Sequence, residues 1–350
     1  MDIIPEVILR AYGLSSDAGI SRLTDGLINQ TYRVTQANRT IILQKLNQHV
    51  FPNAKAIMEN IAVVHDALRK EPGYLVPEVL LTLSSEQFVE DDDQNAWRAI
   101  YYVPNTRTFN ATQSPKVATE AGRLIGMFHR LTSSIKPDAL TATLPNFHSI
   151  AHRARLFQHA ITQVGPNRRS LAKAMIEFYE RWTSAMRQLE YYTLPKRVTH
   201  NDTKLNNILF DKATDLAICL IDLDTLMPGH LHHDFGDALR TLCNAATEQE
   251  PDLTKVQFQW PIFEAFCQGY FPEVHELLTE SEWEVLPHSL MQLPYLMGVR
   301  FLTDYLDGDR YYRTDYDTQN LDRAKNQAAL INRIQARLPE IVELIHSYRP

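Results

Sequence analysis

Residues 198–224 read VTHNDTKLNNILFDKATDLAICLIDLD, the most specific pattern in the chain. Its two apolar segments, 207–210 and 218–223, are short and separated by a polar turn, a pattern that predicts a buried β-hairpin. Polar residues crowd the ends of this hairpin, where a rigid scaffold commonly carries chemistry. Long amphipathic windows surround the hairpin and predict helices at 116–133, 150–163, 168–191, 252–270, 281–306 and 318–346.

The polar ends of the hairpin meet the needs of phosphoryl transfer to an alcohol. H-x-D-x-K-x-x-N at residues 200–207, followed by a carboxylate where the second strand ends, is the arrangement of kinases. The acceptor hydroxyl must be aimed and must lose a proton, so our candidate catalytic base is Asp202. The charge that develops on the phosphate oxygens needs a cation, which Lys204 offers two residues later.

The same stretch offers oxygen ligands for Mg²⁺, which prefers hard donors and shares them with phosphate. Asn207 and Asp222, fifteen residues apart on the two strands, would form a compact half-site. Asp224, expected on the same strand face as Asp222, would add a second metal contact or orient the first. The competing interpretation is that residues 200–202 form an ordinary turn and that Asp222 and Asp224 are solvated loop carboxylates. This interpretation would explain either the turn or the carboxylates taken alone.

Two neighbouring features resemble metal sites but favour simpler interpretations. Asp234 begins the triplet DFG, yet it lies outside the hairpin and precedes an amphipathic run. It is therefore expected to be an N-cap whose carboxylate also braces the catalytic loop. His230, His232 and His233 lack a nearby cysteine or a defined helical spacing, which indicates a surface turn rather than a zinc site.

The first part of the chain predicts a small antiparallel sheet with one helix. Strands are expected near residues 20–24, 30–36 and 40–46 and in VPEVLLTL and AWRAIYYV, with a helix crossing behind the sheet. The pattern ends near Val103. We therefore predict an α+β protein with a nucleotide-binding lobe at 1–103 and a mainly helical lobe at 104–350.

Two segments of that first lobe are candidates for holding a nucleotide. The turn around Gly26 and Asn29 could lay backbone amides over phosphates, and a plain turn is an equal alternative. The third strand, IILQKL, should carry a long polar or cationic side chain into the cleft. Lys45 is the chemical choice, but alternation places Gln44 on the opposite face, and the register stays open.

Composition narrows the class of protein. The 350 residues are 44% apolar and 22% charged, the balance of a folded globular protein. The net charge of −7 comes without a Lys/Arg-rich block, which argues against nucleic acid as a partner. The longest apolar run falls short of the ~20 residues of a membrane span, and the N-terminus lacks a signal-peptide pattern, so a cytoplasmic protein is expected.

These segments together resemble the aminoglycoside phosphotransferase and choline kinase superfamily. THNDTKLNNILFD, CLIDLDTLMPG, DFGDALRT, GLINQTYRV and IILQKLNQHVFPN look most like its N-acetylhexosamine 1-kinase branch. The resemblance implies a bilobal protein-kinase-like fold, ATP and Mg²⁺ as cofactors, and phosphate transfer to the anomeric hydroxyl of an N-acetylhexosamine. It also implies that Arg300 contacts the sugar, and a monomer or weak homodimer is expected.

Three alternatives stay open on the sequence. The first is a kinase of the same fold for another small alcohol, such as another hexose, choline or an aminoglycoside. The second is a nucleotide-binding protein without catalysis. The third is a metallohydrolase that uses the histidines near residue 230.

Overall fold

The structure, a computed structural model, describes residues 4–23 and 28–350. Its first part is an antiparallel sheet with strand order β1-β2-β3-β6-β4 and with β5 also paired to β6. The elements of this part are α1 (Glu6–Ala11), β1 (Gly19–Leu23), β2 (Gln30–Gln36), β3 (Arg39–Lys45), α2 (Ala54–Leu68), β4 (Val79–Leu80), β5 (Val89–Glu90) and β6 (Ala96–Tyr101). The predicted small antiparallel sheet is confirmed.

The two faces of this sheet have different partners. Ile41, Leu43 and Trp97 point to one face, where they form a core with the short helix α1. The side chains between them point to the other face, because successive residues of a strand alternate. There Met58 of α2 lies 3.9 Å from Arg98 of β6. Helix α2 therefore packs on the face of the sheet that carries Arg98, and α1 packs on the opposite face, which carries Ile41 and Leu43.

The remainder of the chain is mainly helical. Its elements are β7 (Thr106–Arg107), α3 (Pro115–Thr132), α4 (Ile150–Gln163), α5 (Pro166–Gln188), β8 (Arg197–Thr199), β9 (Ile208–Asp211), β10 (Ala217–Leu220), β11 (Met227–Gly229), α6 (Leu231–Leu242), α7 (Trp260–Val274), α8 (Glu280–Leu306), α9 (Gln319–Gln335) and α10 (Leu338–His346). The window 318–346 is two helices, because Pro339 at the start of α10 favours a new helix there. None of the described helices is long and apolar enough to cross a membrane.

The predicted buried hairpin is confirmed. Strands β9 and β10 pair antiparallel with Leu220 opposite Ile208, and β7 adds a third strand beside β9. Strands β8 and β11 form a separate two-stranded ribbon. The segments 200–207 and 221–226 thus each run between this ribbon and the hairpin, which brings them side by side. The boundary at 103/104 stays a prediction.

The helices α3 and α7 approach each other through glycines. A Cβ atom on Gly122 would lie 2.2 Å from the carbonyl oxygen of Phe266, and one on Gly269 would lie 2.0 Å from that of Thr119. Both clashes are with backbone, which cannot swing aside as a flexible side chain can. The close approach matters for the site below, because α3 carries a histidine that contacts it.

We predict that Gly122→Ala destabilises the protein by about 1–3 kcal/mol, as overpacking of a tight contact usually does. Helix propensity alone favours alanine by about 1 kcal/mol, so a loss would report the helix contact. The measurement is the free energy of unfolding in denaturant. The control is Gly19→Ala, whose Cβ would lie an ordinary 3.6 Å from the nearest atom, the carbonyl oxygen of Thr35. Equal stability of the two variants would contradict the prediction.

Candidate active site

The loop at residues 200–207 is hydrogen-bonded to the buried carboxylate of Asp234. The backbone N–H groups of His200 and Asn201 donate to its two oxygens at 2.8 and 2.7 Å. The hydroxyl of Thr203 donates to the carbonyl oxygen of Asp234 at 2.6 Å. The predicted bracing role is confirmed. The predicted N-cap role is wrong, because α6 begins at Leu231 and Asp234 lies in its first turn.

Helix α3 supplies a further partner for this carboxylate. Nε2 of His129 lies 3.0 Å from Oδ2 of Asp234, and both side chains are buried. Burial by itself would raise the pKa of Asp234, but the hydrogen bond and charge of His129 and the His200 contacts outweigh it and lower that pKa. The anion is therefore stable where it lies, and it keeps the loop in one conformation.

Asp202, Lys204 and Asn207 are brought together by this loop. Nζ of Lys204 and Nδ2 of Asn207 each donate to Oδ2 of Asp202 at 2.8 Å. Burial opposes ionisation of Asp202, but Lys204, His200 and Asn207 together lower its pKa below the ordinary value. Asp202 is thus a carboxylate at neutral pH and can accept a proton. Because Asn207 uses its amide nitrogen here, its amide oxygen is the atom that remains for a cation.

Asp222 lies across from this group, at the end of the hairpin. Its backbone is left-handed, with φ of 64°. A left-handed non-glycine residue is uncommon and often marks a functional site. Burial and the nearby charge of Asp224 raise the pKa of Asp222 to about 6. The negative charge of such a carboxylate is not compensated by its neighbours, and a bound cation would compensate it.

The structure corrects the expectation for Asp224. The strand ends at Leu220, and residues 223–225 form a 3-10 turn, so Asp222 and Asp224 do not share a strand face. The carboxylate of Asp224 is buried and lies 2.5 Å from Nη1 of Arg98, and it accepts a hydrogen bond from Nδ2 of Asn29 at 2.7 Å. It does not line the cleft, whereas Asp222 does.

The structure also corrects the expectation for Lys45. This residue lies on the α1 face of β3, with Nζ 5.9 Å from the ring centroid of Trp97. Gln44 faces the cleft instead, because its neighbours in the strand alternate. Oε1 of Gln44 accepts hydrogen bonds from Nε and Nη2 of Arg98 at 3.0 and 2.9 Å. The cation that this part of the cleft presents is therefore Arg98.

The sequence analysis did not identify Arg98 as a candidate site residue, although its position in an apolar strand could have indicated it. Arg98 is the only charged residue in the strand AWRAIY, and a buried cation in an apolar strand needs a partner or a ligand. Its partner, Asp224, is 126 positions away along the chain, so no local pattern could reveal the pair.

Of the two candidates from the first turn, the structure describes only Asn29. Gly26 lies outside the described residues. Asn29 lines the cleft, and both ends of its amide are occupied: Nδ2 donates to Asp224, and Oδ1 accepts from the backbone N–H of Asn47 at 2.9 Å. The contacts of Asn29 thus join the sheet to the hairpin region.

The cleft encloses a cavity of about 390 Å³. Arg300 of α8 lines its far end, where its guanidinium lies 4.9 Å from the ring centroid of Phe147 and 5.9 and 5.7 Å from those of Tyr311 and Tyr312. Burial would lower the pKa of Arg300, but Tyr312, Tyr311 and Asp202 raise it. Asp202 is thus within electrostatic reach of this end of the cavity.

The histidines near residue 230 do not form a surface turn, as the sequence had indicated. His232 and His233 are buried in the first turn of α6, with ring centroids 4.2 Å apart, and burial lowers the pKa of each. Among the described residues, no group of three or more His, Cys, Asp and Glu side chains has the geometry to hold a metal ion. A cation in the cleft would therefore need oxygens from a substrate or water besides those of Asn207 and Asp222.

Comparisons with known proteins show the family and the fold of the chain. The model of a phosphotransferase enzyme family, APH, matches residues 19–266, more than half of the chain. The chain is similar to a microcompartment-associated aminopropanol kinase at 19% identity and a TM-score of 0.66, covering 96% of this chain and 97% of that one. It is also similar to an aminoglycoside phosphotransferase from Alicyclobacillus acidocaldarius at 15% identity and a TM-score of 0.65, covering 99% and 98%.

A third similar structure is the ethanolamine kinase of Plasmodium vivax, at 13% identity and a TM-score of 0.58, with 94% of this chain and 83% of that one covered. At such identities, the likeness shows the fold alone. The predicted kinase-like α+β fold, with an antiparallel sheet at one end and a helical body, is confirmed.

We predict that Asp222 makes the stability of the metal-free protein depend on pH. Its folded-state pKa, about 6, is above the ordinary 3.8, so its contribution to stability is fully present below about pH 4 and is lost as the pH rises through 6. Asp222→Asn carries no such charge. The variant should therefore gain stability relative to the wild type between about pH 4 and pH 7, by about 2 kcal/mol, since the folded-state pKa lies about two units above the ordinary value and one unit corresponds to about 1.4 kcal/mol.

The measurement is denaturant unfolding of both proteins at the two pH values, in buffer with a chelator. Mg²⁺ added at the higher pH should stabilise the wild type more than the variant. A difference between the two proteins that does not change with pH would contradict the prediction.

Proposed function

The chain belongs to the phosphotransferase enzyme family, and we propose that it transfers the γ-phosphate of ATP to the anomeric hydroxyl of an N-acetylhexosamine. The observation that carries the sugar assignment is the position of Arg300. It lines the acceptor end of the cavity, beside three aromatic rings, and forms no ion pair with a described residue. A guanidinium in this setting can donate paired hydrogen bonds to neighbouring hydroxyls or to an acetamide oxygen.

Asp202 would act as the base. Held by Lys204 and Asn207, its carboxylate takes the proton of the acceptor hydroxyl as that oxygen bonds to the γ-phosphorus. The bond from phosphorus to the β–γ bridging oxygen breaks, and ADP leaves with that oxygen. The ammonium group of Lys204, whose pKa the neighbouring carboxylates raise despite its burial, stays charged and offsets negative charge on the phosphate.

Asn207 and Asp222 fit Mg²⁺ as ligands. One offers an amide oxygen, and the other offers a carboxylate whose raised pKa reflects a shortage of positive charge. When bound, Mg²⁺ would supply charge neutralisation on the phosphate oxygens of ATP. Asp224 is not part of this proposal, because Arg98 and Asn29 occupy its carboxylate.

Two guanidinium groups lie near the Arg300 end of the cavity. Burial and the charge of Arg300 lower the pKa of Arg153 to about 10. These two groups repel a cation placed beside Arg300 and leave a sugar hydroxyl there unaffected, so the Arg300 contact itself favours a neutral group. The alternative is an amino alcohol, which is favoured by the names of two similar structures, an aminopropanol kinase and an ethanolamine kinase.

The test is ADP release from ATP and Mg²⁺ with a panel of acceptors: N-acetylglucosamine, N-acetylgalactosamine, glucose, galactose, choline, ethanolamine and an aminoglycoside. We expect turnover of an N-acetylhexosamine and a sugar 1-phosphate in the phosphorus NMR spectrum. Asp202→Asn should lower kcat by about 10²–10⁴, the usual contribution of a positioned base. Turnover of choline or ethanolamine alone would refute the sugar assignment, and a variant within threefold of the wild type would refute the base assignment.

We also propose that Arg98, rather than Lys45, is the cation of the sheet that holds the phosphates of ATP. Arg98→Lys should raise KM for ATP by about tenfold, because an ammonium cannot keep the hydrogen bonds to Gln44 and the ion pair with Asp224 at once. Lys45→Ala is the matched control on the neighbouring strand, and we expect its KM for ATP to stay within twofold of the wild type. The reverse ranking of the two variants would restore Lys45.

A further inference from the structure

Three buried polar atoms of the cavity lining have no hydrogen-bond partner among the described residues. They are Oδ1 of Asn206, Oδ2 of Asp237 and the hydroxyl of Tyr312, and the last two belong to the helical body beyond the hairpin. Buried polar atoms are almost always hydrogen-bonded in folded proteins, and leaving one unpaired costs free energy. An unpaired atom in the wall of a binding cavity is positioned to form a hydrogen bond with a ligand.

The orientation of Asp237 is set by one neighbour. Nε and Nη2 of Arg240 lie 3.0 and 2.9 Å from Oδ1 of Asp237, and all of this pair is buried. Nη1 of the same arginine contacts Glu248. Arg240 is therefore shared by two carboxylates, and the second oxygen of Asp237 is left over. A donor on the ligand would complete this group.

Tyr312 is held just as firmly, at the Arg300 end of the same cavity. Its backbone N–H donates to Oδ2 of Asp304 at 2.9 Å, and its ring lies 4.8 Å from that of Phe301. Its ring is also 5.7 Å from the guanidinium of Arg300. The hydroxyl thus lies at the end of a fixed ring and can both donate and accept.

These two atoms complement a molecule with several hydroxyl groups. Asp237 offers an acceptor, Tyr312 offers either role, and Arg300 offers donors. A quaternary amine could bond to none of them by donating a hydrogen. A sugar ring carries adjacent hydroxyls that donate and accept.

We propose that Asp237 and Tyr312 are acceptor-binding residues, Asp237 receiving a hydrogen bond from one hydroxyl of the sugar and Tyr312 bonding to a second polar group. This inference rests on the proposed function and names two residues that select its substrate. Both act on binding of the acceptor, and ATP is held elsewhere in the cleft.

The test compares Asp237→Asn and Tyr312→Phe with the wild type, using N-acetylglucosamine and its analogues that lack one hydroxyl at C3, C4 or C6. Asparagine keeps an oxygen for Arg240 and removes only the second one. We expect KM for the sugar to rise by about tenfold in each variant, since hydrogen bonds to charged groups are the stronger ones, while KM for ATP stays within twofold. One deoxy analogue, the one that lacks the hydroxyl bound by the substituted residue, should be a poorer substrate than N-acetylglucosamine for the wild type. For the variant that has lost this hydrogen bond, the same analogue should be no poorer a substrate than N-acetylglucosamine.

The chain offers a matched control for the tyrosine. The hydroxyl of Tyr74 is also buried and has no hydrogen-bond partner within residues 4–23 and 28–350, but Tyr74 does not line the cavity. Tyr74→Phe should leave KM for the sugar unchanged. Glu248→Gln distinguishes the effect of Asp237 from that of Arg240, because it perturbs Arg240 but leaves Oδ2 of Asp237 in place. This variant should keep the wild-type discrimination between the sugar and each deoxy analogue.

The outcomes separate the two proposals. If the wild type turns over an N-acetylhexosamine but both variants retain its KM and its discrimination, the inference is overturned and the proposed function stands. Penalties of variant and analogue that simply multiply would overturn the inference as well. If the wild type turns over no N-acetylhexosamine, the proposed function fails, and the inference fails with it.

Discussion

The buried carboxylate of Asp234 is the constraint on which the rest of the site depends. An anion away from water must be fully hydrogen-bonded, and this one takes its donors from the backbone of His200 and Asn201 and from His129. The conformation of the loop at residues 200–207 therefore depends on the same hydrogen bonds that keep the buried Asp234 carboxylate paired within the helical body. His129 comes from α3, and α3 can reach this position only because glycines let it approach α7 closely.

A second buried pair joins the sheet to the helical body. Arg98 comes from the sheet and Asp224 from the turn after the hairpin, and each is almost fully buried. This pair explains why two carboxylates only two residues apart differ in chemistry. The left-handed backbone at Asp222 sends its side chain toward the cleft, while Asp224 is neutralised by its partner. One is left short of positive charge, and the other is not.

The cleft is divided by these constraints into two ends. Arg98 and Gln44 line the end beside the sheet, and Arg300 and Tyr312 line the end within the helical body, with Asp202 within electrostatic reach of Arg300. The unsatisfied atoms of the second end are as informative as the satisfied ones. They are the atoms to which the proposed acceptor would form hydrogen bonds.

The α+β class, the hairpin and the grouping of Asp202, Lys204, Asn207 and Asp222 could all be predicted from the sequence. This is possible because a short hairpin brings its two ends together by local geometry alone. Lys45 and Asp224 were misjudged, since a strand shifted or ended by one residue changes which face a side chain points to. The surroundings of Arg98, Asp237 and Tyr312 became visible only in the tertiary structure. Their neighbours come from distant elements, and burial and pairing across such distances depend on how those elements pack, which no spacing along the chain records.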